Sequence, residues 1–116
     1  GEIYVHKIPS MKVTDIALAI NPDASHEIIG IRPGEKIHEV MISEEDAVNS
    51  YEYNWYYKIL TTLNQWHRDP ERIKDGKKVE KGFIYSSGEN KEWMTIEQLR
   101  KYLKSPNYCE LQELNI

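Results

Sequence analysis

The chain is nearly without cysteine: Cys109 stands alone among 116 residues. It cannot close an internal disulfide, so nothing asks for an oxidising compartment and a cytoplasmic location is expected. Long apolar runs are missing as well. No stretch approaches the roughly 18 consecutive apolar residues that a membrane helix needs. No basic-then-apolar signal opens the chain either, so no membrane partner is expected. An excess of positive charge is also lacking, with Lys+Arg 15 against Asp+Glu 19 and a net charge of −4. Nucleic-acid affinity rests largely on clustered Lys and Arg that release counterions, so nucleic acid is not an expected partner. The four histidines, His6, His26, His38 and His67, show no metal-ligand spacing among themselves or with Cys109, and no metal site is expected.

What is there reads as one domain over residues 1–116, of a size that buries somewhere near two thirds of the unfolded surface. Gly1 in place of Met, leading directly into Glu2-Ile3-Tyr4-Val5, reads as a piece of something longer. Alternation over residues 2–6 predicts a strand. Val13, Ile16, Ala17 and Ile20 at helical spacing predict a helix with Ser10 as N-cap, stopped at Asn21-Pro22. Ile28, Ile29 and Ile31 predict a second strand over residues 26–31, and Lys36 to Met41 fits a helical turn. Ser43 before Glu44, Glu45 and Asp46 marks a capped short helix. Five aromatics between Tyr51 and Tyr57 favour an extended segment. Residues 67–81, interrupted by Asp69-Pro70 and Gly76, read as a long surface loop. A last strand is expected over residues 82–86, and a last helix opens at Thr95 with Gln98 completing a capping box and ends at Ser105-Pro106. The fold class is α/β, an α+β-like fragment of short strands with two or three helices and no complete sheet of its own.

The candidate site is Arg32-Pro33-Gly34-Glu35. Proline presets φ at the second position of a β-turn, and glycine tolerates positive φ at the third, which brings residues 32 and 35 within about 7 Å at Cα. Arginine's planar fork suits a pair of diphosphate oxygens. A carboxylate beside it can accept from two vicinal hydroxyls, as ribose offers. On the tetrapeptide alone, a simple ion pair across an exposed turn explains these residues better.

Three stretches resemble one family in order: Lys7 to Lys12, the 19 residues from Ile29 to Ala47, and Tyr85 to Asn90 with Trp93. Together they are similar to the C-terminal, substrate-binding part of inverting UDP-N-acetylglucosamine 4,6-dehydratases. These are extended short-chain dehydrogenase/reductases (lyases) of bacterial capsule, O-antigen and pseudaminic-acid pathways. The resemblance covers about residues 1 to 104; His6 departs from it, since the family has proline there, and residues 107–116 lie beyond it. It implies that Arg32 contacts the UDP diphosphate and Glu35 the ribose. It also makes Lys7, His38 and Glu39 candidates for the substrate side. It further implies a UDP-sugar substrate, a homo-oligomer, and a missing N-terminal Rossmann domain that holds NADP(H).

The catalytic signature of such enzymes is absent. No tyrosine is followed by lysine four residues on, and no Gly-x-Gly-x-x-Gly pattern occurs. No catalytic residue and no cofactor-binding residue is therefore expected within this chain. The alternative is a stand-alone interaction module that binds a protein or glycan without catalysis, through an aromatic surface exposing Tyr53, Trp55 or Tyr57.

Overall fold

The computed structural model describes residues 1–61 and 70–104. These residues form two compact units, each assembled from two separate stretches of chain: residues 1–8 with 36–90, and residues 9–35 with 91 onward.

The first unit carries the sheets. Strand β1 is Ile3–His6, β2 is Val40–Ile42, β3 is Ser50–Glu52, β4 is Tyr56–Ile59, β5 is Lys77–Lys78 and β6 is Tyr85–Ser86; helix α2 is Glu44–Ala47. A four-stranded antiparallel sheet runs β1-β4-β3-β5, and β2 pairs antiparallel with β6. The period-2 alternation of β4 decides its faces. Tyr57 and Ile59 point into a core with Ile42, Ala47, Val79 and Tyr85, against which Val5, Met41 and Phe83 pack. Val5 lies opposite Tyr57 in the register, so one inward pair joins β1 to β4. The rings of Phe83 and Tyr85 sit 5.4 and 5.3 Å from that of Tyr57.

The aromatic cluster therefore divides across the sheet. Tyr57 is only 7% exposed, which corrects its expected place on a binding surface. Tyr53 and Tyr56 instead stack on the other side at 4.6 Å, with Trp55 edge-on to Tyr56 at 4.8 Å. Trp55 is 61% exposed. The single extended segment expected here is a hairpin, because Tyr53 N donates to Tyr56 O and turns the chain between β3 and β4.

Helix α2 has the expected N-terminus. Ser43 Oγ accepts from Asp46 N, and the Asp46 carboxylate accepts from Ser43 N. Its C-terminal carbonyls, Ala47 O and Val48 O, accept from Lys78 Nζ. Ser50 is fully buried and satisfied, since its hydroxyl donates to Asp46 O at 2.7 Å. The charged stretch expected as a loop is more ordered than its composition suggests. Arg72 O accepts from Lys58 Nζ at 2.7 Å, and Arg72 pairs with Glu2 at 2.9 Å. Lys77–Lys78 then pairs with β3 because Val79, directly after it, is drawn into the core. Residues 67–69 of that stretch lie outside the described residues.

Two further expectations need correction in this unit. Lys36 to Met41 forms no helical turn; Val40–Ile42 is a strand, pulled straight by Ile42, which is wholly buried against β6. Residues 82–86 are strand only at Tyr85–Ser86, since Gly82 adopts φ 82° just before them.

The second unit holds helix α1, Val13–Ile20, and helix α3, Ile96–Leu103, which pack together. Lys12 rather than Ser10 is the N-cap of α1, and it makes no side-chain cap bond. Ser10 is occupied elsewhere: its N donates to Glu92 O and its O accepts from Met94 N, a parallel bridge to Trp93. Arg100 on α3 donates to Leu18 O and Ala19 O at 2.9 and 3.2 Å, placing a cation on the negative end of α1. Thr95 and Gln98 form the expected capping box. The described residues end at Lys104, the C-cap of α3, so the stop expected at Ser105-Pro106 and the tail with Cys109 lie beyond them. Residues 26–31 form no strand. Ile28, Ile29 and Ile31 are 95%, 75% and 62% exposed; their β-propensity finds no ladder partner among the described residues.

The buried phenol of Tyr57 yields a test. Burial chiefly, then the negative charge of Glu52 and the neighbouring Tyr85, pushes its pKa above the usual tyrosine value. A raised folded-state pKa gives stability that is intact below about pH 10 and lost as pH rises through the folded value. The urea midpoint is expected to fall as pH rises above about 10, and Tyr57→Phe is expected to remove part of that fall. An unchanged alkaline slope in the variant would contradict the assignment.

Candidate functional site

The Arg32–Glu35 turn belongs to the second unit, in the stretch between α1 and the end of that unit's first segment. Glu35 N donates to Arg32 O at 3.1 Å, and Gly34 adopts φ 85°. This is the hydrogen-bonded β-turn that the Pro-Gly pair calls for. Only the backbone demands glycine at 34, because an added Cβ would meet no atom within 4 Å; substitution there strains φ rather than packing.

The turn brings the two charged residues together. Arg32 Nε donates to Glu35 Oε1 at 2.7 Å, Arg32 Nη2 reaches the same oxygen at 2.5 Å, and Arg32 N donates to Glu35 Oε2 at 3.0 Å. The side chains are 74% and 42% exposed. Hydrogen bonds from the Arg32 guanidinium first, and from the Arg32 backbone second, hold the Glu35 carboxyl below the usual carboxylate value. The pair stands open to solvent and to ligands.

The three remaining candidates lie in the first unit. Lys7 Nζ donates to Glu52 at 2.8 Å and sits 5.0 Å over the Tyr57 ring, so its charge is already matched within the sheet. His38 and Glu39 are gripped by the turn after β6. Glu39 N donates to Ser87 Oγ at 3.0 Å and Ser87 N donates to Glu39 O at 2.9 Å. A Cβ on Gly88 would come within 2.6 Å of the His38 ring, so that ring lies against bare backbone. Two stretches that carried the family resemblance thus meet in space. Residue reading alone did not single out Ser87 or Gly88 as supports, and a Ser-Gly pair at a turn was the available signal.

A separate open groove of about 690 Å³ occurs in the second unit, lined by Pro9, Trp93, Met94 and Tyr102 with Lys91 and Lys101 among others. Arg32 and Glu35 do not line it. Among the described residues, no group of three or more His, Cys, Asp or Glu is placed to hold a metal ion. No described helix is long and apolar enough to cross a membrane.

The family described as polysaccharide biosynthesis protein matches residues 1–61, more than half of the chain, and the chain belongs to that family. It is 45% identical over 104 residues to the inverting UDP-N-acetylglucosamine 4,6-dehydratase of Campylobacter jejuni, covering 85% of this chain and 31% of the relative. It is 27% identical over 114 residues to a UDP-glucose 4-epimerase of Rickettsia massiliae, covering 95% and 33%. Among solved structures it is similar to Pen from Bacillus thuringiensis, with a TM-score of 0.68 at 21% identity, over 89% of this chain and 31% of that one. The chain thus spans about a third of the length of the curated relatives it matches, and the structural likeness supports the α/β class.

The depressed carboxyl of Glu35 is open to direct observation. A lowered folded-state pKa keeps the pair intact at neutral pH and releases it only as pH falls through the folded value. Side-chain carbon shifts followed by NMR are expected to titrate Glu35 below an ordinary glutamate, and Arg32→Ala is expected to return it to the ordinary range. Glu35 titrating normally beside an intact Arg32 would show that the pair does not persist in solution.

Proposed function

We propose that this chain is the nucleotide-sugar-binding lobe of a bacterial UDP-N-acetylglucosamine 4,6-dehydratase that inverts C5, serving surface polysaccharide or glycan biosynthesis. In this reading Arg32 grips the diphosphate of the UDP-sugar, and Glu35 acts beside it on the ribose side. The observation that carries the proposal is the Arg32–Glu35 turn: an exposed guanidinium fixed on a rigid Pro-Gly turn, in a chain whose 45% identical relative is a dehydratase of that name. A fixed planar fork with free N–H edges is the group that recognises a diphosphate.

The described residues do not fit a nicotinamide cofactor. A dinucleotide cradle needs a glycine-rich turn from a strand into a helix N-terminus. Here α1, α2 and α3 begin after Lys12, Ser43 and Thr95. The glycines with positive φ, Gly30, Gly34 and Gly82, open no helix. The proposal therefore gives the hydride and elimination chemistry, and NADP(H), to the rest of the longer protein. This chain's part is to bind the substrate, within a homo-oligomer in the cytoplasm.

In the complete enzyme, Arg32→Ala is expected to raise KM for UDP-N-acetylglucosamine by about 10- to 100-fold, as for the loss of one charge-assisted hydrogen-bonded contact, with kcat changed much less. Steady-state kinetics decide it, and an unchanged KM would reject the assignment.

A further inference from the structure

The open groove of the second unit lies apart from the Arg32–Glu35 turn, and two local devices make its lining. Ser10 N donates to Glu92 O at 2.9 Å, and Ser10 O accepts from Met94 N at 2.8 Å. That bridge joins the stretch carrying Pro9 to the stretch carrying Trp93 and Met94, all of which line the groove. The rest of the lining comes from α3, where Gln98, Lys101 and Tyr102 are spaced three and four residues apart and so share one face. Trp93 and Tyr102 are 45% and 51% exposed, which leaves large apolar surface in contact with water. Lys91 and Lys101 outnumber Glu92 along the groove, so its charge is positive.

The sequence supplies an occupant of matching character. Residues 105–116, which begin three positions after Tyr102, carry four large apolar side chains, Tyr108, Leu111, Leu114 and Ile116. Between and beside them stand the carboxylates Glu110 and Glu113, and the segment contains no lysine or arginine. Extended, a segment of this length spans up to about 40 Å, so the groove is within its reach. We propose that the groove is the docking site of the chain's own 105–116 segment, with the apolar side chains over Trp93, Met94 and Tyr102 and the two carboxylates toward Lys91 and Lys101. A short tether holds such a segment at an effective concentration in the millimolar range, so an affinity of about 100 μM as a free peptide keeps the groove covered. Covering it removes an apolar patch through which copies of the protein would otherwise associate.

A fluorescently labelled peptide of residues 105–116, titrated with the complete protein and followed by anisotropy, supplies the test. The peptide is expected to bind protein from which residues 105–116 are deleted, and to bind the intact protein about 10-fold more weakly, because the tethered copy competes. In the deleted protein, K91E/K101E is expected to weaken the peptide about 10-fold. A peptide carrying Glu110→Lys and Glu113→Lys is expected to recover that loss, while W93A weakens both peptides. The two lysines are exposed, and thermal melting confirms that their replacement leaves the fold intact. No binding up to about 1 mM peptide would overturn the proposal, since the tether could not then keep the groove filled. Equal affinity for intact and deleted protein would overturn it too, as would binding indifferent to both K91E/K101E and W93A. Dimers of the intact protein that the deletion dissolves would seat the segment on a second copy and overturn its assignment to the same chain.

Discussion

The first unit depends on the alternation of Tyr56-Tyr57-Lys58-Ile59. As β4 pairs with β1 on one side and β3 on the other, its inward residues set what both neighbours face. Tyr57 and Ile59 supply the core with its bulk, and Tyr56 and Lys58 supply the other face. A one-residue slip would exchange the two sets and expose the core. Register is further pinned by Lys58, which lies over the rings of Tyr4 and Tyr53 while donating to Arg72 O. The same strand places Tyr57 under the ammonium of Lys7, so one alternation reaches from the core to a residue the family resemblance had put on the substrate side.

Elements with strong local signals were legible in the sequence. Residues 2–6, Ser43 with its acidic turn, and Thr95 with Gln98 all carry their own caps or alternation, and each forms where the residues indicate. Elements that depend on a distant partner were not legible. Val40–Ile42 looks like a helical turn by composition, and it becomes a strand only because β6 arrives from more than 40 residues away to bury Ile42. The run from Ile28 to Ile31 has the propensity of a strand but, among the described residues, no neighbour to complete it. Lys77–Lys78 has little propensity, yet it pairs because Val79 beside it is needed in the core.

The candidate site was legible as geometry and less so as chemistry. Proline and glycine at 33 and 34 dictate a turn wherever they occur, and the turn is there. Which contacts the charged ends would make could not be read from the tetrapeptide. The structure shows the simple ion pair that the residues alone favoured, and the family match is what motivates the ligand proposed for that pair. The two readings are compatible. An arginine held by a neighbouring carboxylate along one edge still offers the other, and an exposed pair is available to a diphosphate where a buried one would not be. The support of His38 and Glu39 by Ser87 and Gly88 was hidden for the same reason as β2: it joins residues about 50 positions apart.

The central claim is that Arg32 meets a nucleotide diphosphate, and a crystal structure of the complete protein with UDP tests it most directly. The account predicts diphosphate oxygens within about 3 Å of the Arg32 guanidinium, with the Pro33-Gly34 turn unchanged. UDP bound elsewhere, with Arg32 pointing into solvent and paired only to Glu35, would contradict it.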